Sequence, residues 1–152
     1  MDPRDILKQA CESILIGGIR VFSSVELSTS DQLTDPVPTN SSIAIVSDFD
    51  GDNINAFEDE PYNVNVEATL DVKLYFNENL SFFSIFNVCK GIMQNVVAST
   101  ERGMVFQRWS TGTSNYGSDG STYKYHQLTF KYFFDHIILD PDTVITEVGG
   151  DD

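Results

Sequence analysis

Residues 62–76 read YNVNVEATLDVKLYF, and the alternation in this stretch decides the fold. Tyr62, Val64, Val66, Ala68, Leu70, Val72, Leu74 and Phe76 are apolar, while Asn63, Asn65, Glu67, Thr69, Asp71, Lys73 and Tyr75 stand between them. A period of two gives one strand with a buried face and a wet face. At about 3.3 Å per residue such a strand extends roughly 50 Å, more than a lone small domain needs, so part of it is expected to project beyond its own core. A projecting, half-covered strand is a feature of assembly.

Upstream, Asp2 followed by Pro3 forms an expected N-cap with proline at the first helical position, and Asp5 suits the helix dipole. Ile6, Leu7, Ala10, Cys11 and Ile14 recur at spacings of three and four, which predicts a short amphipathic helix ended by Gly17 and Gly18. Ile19 to Leu27 then reads as a strand, with Ile19, Val21, Val25 and Leu27 alternating with Arg20, Ser24 and Glu26, residues 28–42 as a long surface loop, and Ile43 to Ser47 as a brief strand. Asp48 to Glu60 holds six acids and no base, and reads as a solvated acidic hairpin loop.

Downstream, Leu80 to Thr100 carries the second predicted helix, capped by Ser81, with a stripe of Phe82, Phe86, Cys89, Ile92, Met93, Val96 and Val97 pressed onto the sheet and widened by Phe83 and Ile85. Met104 to Ser110 reads as a strand, 111–121 (TGTSNYGSDGS) as a flexible loop, and Thr122 to Leu139 as a second very long strand with Leu128, Phe130, Tyr132, Phe134 and Ile138 inward. The fold class is α+β: a mostly antiparallel twisted sheet with long strands, one helix packed across it and a short N-terminal helix. Residues 1–139 form one domain, and 140–152 an acidic flexible tail.

Aromatics make up 12% of the 152 residues, with eleven Phe and six Tyr, which suits sheet faces better than an all-helical bundle. The formal net charge of −14 opposes a direct grip on phosphate backbones or anionic lipid. Cys11 and Cys89 fall on apolar helix stripes, which predicts buried thiols. The start MDPRD lacks a basic segment followed by an apolar run, and no stretch reaches about 18 apolar residues, so the expectation is synthesis in a reducing cytoplasm without a membrane span.

The segment DFDGDNINAFEDE invites a calcium reading, but with Asp48 first an EF-hand register places Asn53 where glycine is needed, and with Gly51 in that position Val46 and Phe57 take the terminal ligand places. His126 and His136, at equal parity in one predicted strand, stand roughly 33 Å apart and cannot share a metal within one chain. Neither a phosphate loop, a dinucleotide-binding glycine pattern nor a nucleophile elbow is present, so no catalytic residue, cofactor or metal is assigned. Trp109 beside Arg108 has the composition of an interface anchor, with a core position on an edge strand as the alternative. The aromatic run from Tyr123 to Phe134 lacks a basic groove and reads as core packing, not a base-stacking platform.

The helix DPRDILKQACESILI, the strand IAIVSDF, the strand YNVNVEATLDVKLYF, the helix LSFFSIFNVCKGIMQNVVAST and the closing pair GMVFQRWS and TYKYHQLTFKYFF together resemble the tail terminator and tail-completion proteins of long-tailed bacteriophages. The likeness is one of element order over about residues 2–135 and includes no signature motif; the long 28–42 loop and acidic 48–60 segment depart from a compact member. The resemblance implies a hexameric ring that caps the tail tube, meets a head connector or neck protein, lets DNA pass without specific binding, and resides in the virion without enzymatic activity. Asp48, Asp50, Asp52, Glu58, Asp59 and Glu60 are the candidate lumen acids, and Arg108 and Trp109 the candidate interface pair. The alternatives are a tail-tube or baseplate ring subunit, and a soluble module that captures a cation or basic partner on the acidic segment.

Overall fold

A computed structural model describes residues 2–28, 41–49, 54–99, 104–116, 121–134 and 137–148. The first helix, α1, spans Pro3–Glu12, and the Asp2 side chain accepts from the Arg4 N–H at 2.9 Å as the sequence predicts. Its end differs from expectation. The helix stops at Ser13, and Gly17 and Gly18, at φ of 59° and 80°, instead turn a small hairpin between β1 (Leu15–Ile16) and β2 (Ile19–Arg20). Two consecutive positive φ values are what a two-residue hairpin turn requires, and glycine meets them without a Cβ penalty.

The predicted strand from Ile19 breaks at Val21, and β3 runs over Phe22–Ser28, with Phe22 rather than Ile19 buried. It pairs parallel with β4 (Ser42–Ser47), the single parallel pairing among the described strands. Then come β5 (Ile54–Glu60), β6 (Asn63–Tyr75), α2 (Phe82–Ser99), β7 (Met104–Tyr116), β8 (Ser121–Phe133) and β9 (Ile137–Ile138). The sheet order is β3-β4-β6-β8-β7, mostly antiparallel, with β5 and β9 added beside the N-terminal half of β6. Glu67 and Ala68 pair with both β5 and β8, so β5 continues the β4 edge while β9 continues the β8 edge.

Three differences from the sequence reading concern strand bounds, and the first two share one cause. Half of the acidic segment is strand β5, most of the expected 111–121 loop is strand, and the long strand predicted over Thr122 to Leu139 is split into β8 and β9. Strand identity in such polar or glycine-containing stretches is set by pairing with a distant partner, which local composition does not carry. Gly112 illustrates it: a Cβ there would lie 2.6 Å from the Tyr125 hydroxyl, because the Tyr125 ring on the paired strand already occupies that space.

Both helices lie on one face of the sheet. Leu7, Cys11, Val88, Cys89, Ile92 and Val96 meet the even-numbered side of β6 (Leu70, Val72, Leu74), together with Ala44, Val46, Leu128 and Phe130. The Ser81 hydroxyl accepts from the Ser84 N–H at 3.2 Å, the N-cap that the sequence predicts. On the opposite face a smaller cluster gathers Ile45 and Tyr75 against Ile43, Tyr123 and Tyr125. Polar pairs lie on that face too: the Thr129 hydroxyl donates to Asp71 at 2.6 Å, and Lys131 pairs with Glu67 at 3.5 Å.

Candidate assembly surface

In the C-terminal half of β6 Ala68, Leu70, Val72, Leu74 and Tyr75 are buried, but none of Asn63 to Glu67 is more than half-buried. Beyond the helices no other described element covers the apolar side of the sheet, and Ile54, Val66, Tyr132, Phe134 and Ile137 line an open groove of about 400 Å³. Tyr132 and Phe134 meet edge to face at 4.9 Å between ring centroids, and Phe49 closes on Phe134 at 5.9 Å, which fixes one wall. Next to the groove, the Leu139 N–H donates to the Tyr62 carbonyl, and Asp140 then turns the chain by accepting from the Thr143 hydroxyl at 2.7 Å and the Asp142 N–H at 2.9 Å. Those two bonds hold the Asp140 carboxyl below the usual range. After the turn Val144, Ile145 and Val148 stand 83%, 71% and 86% exposed.

A second uncovered surface lies on α2. Its eighteen residues include one charge, Lys90, in a chain whose net charge is −14. Val88, Cys89, Ile92 and Val96 face the sheet, while Phe82 and Phe83 are 69% and 73% exposed and Phe86 and Val97 are also exposed. At 100° per residue Phe82, Phe86, Val97, Lys90 and Phe83 fall in one arc beside the buried one, so the helix is apolar over more than half its circumference. The expectation that Phe82, Phe83, Phe86 and Val97 press onto the sheet is thereby corrected: their arc has turned past it.

That arc borders β7, whose other edge has no partner among the described residues. Phe86 packs on Trp109 with ring centroids 5.9 Å apart, and the Trp109 Nε1–H donates to His126 Nδ1 at 3.0 Å. Burial holds His126 below its ordinary pKa of 6.5, consistent with a neutral ring accepting that bond. A register shift between Phe106 and Arg108 sets Arg108 opposite Thr129 and Trp109 opposite Leu128. The pair is therefore divided between the two faces: Trp109 packs at the margin of the core and Arg108 is exposed.

The acids do not form one group either. Asp48 pairs with Arg4 at 3.4 Å and so ties β4 to the start of α1, whereas Glu58 and Glu60 lie exposed where β5 meets Val64 and Asn63. Measured along β6 these places are on the order of 20 Å apart. Asp50, Asp52 and His136, like most of the predicted loop over 28–42, lie outside the described residues, and Asp59 is described only as part of the β5 backbone. Among the described residues no group of three or more His, Cys, Asp or Glu is placed to hold a metal ion, and no helix is long and apolar enough to cross a membrane. Cys11 and Cys89 are buried and free; burial pushes the Cys89 thiol up to about 12 and the Cys11 thiol also upward.

The groove and the exposed tail residues were not singled out by the sequence reading, which treated 140–152 as an acidic tail. The available signal is three apolar residues within the five positions from Val144 to Val148. The chain matches no protein-family model and no curated protein.

Proposed function

We propose that this chain is a virion structural protein that closes with copies of itself into a ring, a hexamer in the simplest form, at the head-to-tail junction of a long-tailed phage. It caps the tail tube there and meets the head connector. The observation that carries the reading is the exposed apolar second face of α2, with Lys90 as its one charge, beside the thirteen-residue β7 edge that has no partner among the described residues. A monomer in water leaves that apolar arc and that row of backbone groups uncovered, and a neighbouring subunit relieves both. The element order adds the resemblance to terminator proteins, and net charge of −14 per copy suits a channel through which DNA slides without being held.

Electron microscopy of the purified chain mixed with phage tail tubes tests this. The expected result is a single ring on one end of each tube. Unassisted growth of the chain into long tubes favours the tube-subunit alternative, and bare tube ends with a dispersed monomer remove the proposal.

A further inference from the structure

We infer that the segment Val144–Val148 is an arm that docks in the Ile54–Phe134–Ile137 groove of a second copy of this chain. The inference rests on the self-assembly reading and specifies one of its contacts. The groove continues the core face and is left open by the described residues, apolar, with walls from β5, β6 and β8. The arm begins seven residues after Ile137, which itself lines the groove, yet its three apolar side chains stand in solvent. The reason lies in the exit: Leu139 is fastened to Tyr62, and the Asp140 side chain fixes the next turn through Asp142 and Thr143, directing the chain away from its own groove.

An apolar segment and an apolar receptor that adjoin in one molecule without meeting form the pattern of exchange between copies. Every chain carries one arm and one receptor, so a closed ring satisfies all of them with none left over, which a foreign partner would not do. The contact is head-to-tail in sense, as ring closure requires. The arm residues also make no hydrogen bond within their own chain from Val144 to Val148 among the described residues, which leaves their backbone free to pair on docking.

The test mixes two singly substituted full-length chains, Ile54→Cys and Ile145→Cys, under mild oxidation. Both positions are exposed, whereas Cys11 and Cys89 are buried, so new bridges report the engineered sites. The expected result is a disulfide-linked dimer that forms in the mixture and exceeds, by several-fold, the dimer formed by either chain alone. A second variant, Val144→Asp with Ile145→Asp, changes only exposed residues and is expected to shift the native mass from the oligomer toward the 17.0 kDa monomer. No mixed dimer, or a bridge that closes within one chain carrying both cysteines, overturns the arm. Intact rings from the double-aspartate variant overturn the arm while leaving the ring reading in place; a wild-type chain that is monomeric throughout overturns both.

Discussion

Trp109 and His126 form the most informative contact between single residues. The indole N–H donates to Nδ1 at 3.0 Å, so that nitrogen is unprotonated in the folded chain, and burial opposes its protonation. Because the folded pKa lies below 6.5, the unfolded chain takes up a proton that the folded one refuses as pH falls through that value. Stability should therefore be fully present above pH 6.5, decline below it, and level off under the lowered folded pKa. Denaturant midpoints followed by fluorescence of Trp109, the one tryptophan, should show this slope in the wild type and less of it in His126→Gln. The two cysteines give another expectation at this scale. With both thiols buried and shifted upward, alkylation at pH 8 should be negligible in the native chain and complete at both sites in denaturant; rapid native labelling would mean that α1 and α2 do not pack as described.

At the scale of elements, α2 divides into two faces with separable roles. Ile92→Ala empties a fully buried position and should cost about 2–5 kcal/mol of unfolding free energy. Phe83→Ser lies on the exposed arc, so it should change monomer stability by no more than about 0.5 kcal/mol while weakening self-association. Chemical denaturation and sedimentation of the two variants separate these effects. Much of this element pattern was legible in the residues: the alternation over β6, the Asp2 and Ser81 caps and the apolar spacing of the helices are local signals. Less legible were β5 and the outer half of β7, where Asn55, Thr113 and Ser114 become strand only through pairing with β6 and β8. The Gly17-Gly18 pair shows the same limit, since glycine at positive φ serves a helix end and a hairpin turn equally well.

For the whole molecule, charge and exposed apolar surface pull in opposite directions. Copies that each carry −14 repel one another at long range, while the α2 arc, the β7 edge and the groove favour contact. Screening reduces only the first, so association should strengthen when salt rises from about 10 mM to about 150 mM, where the Debye length falls to about 8 Å. Weakening over that range, read by sedimentation, would point to contacts made by charge pairs instead. The sequence could not locate this surface completely, because an apolar stripe announces burial without saying whether its own chain or a neighbour supplies the cover; Phe82 and Val96 look alike in the sequence and end on different arcs of one helix. Native mass spectrometry of the full chain at physiological salt tests the central claim most directly. A closed oligomer at one integral multiple of 17.0 kDa is the result this account predicts, and a lone 17.0 kDa species at every concentration is the result that would contradict it.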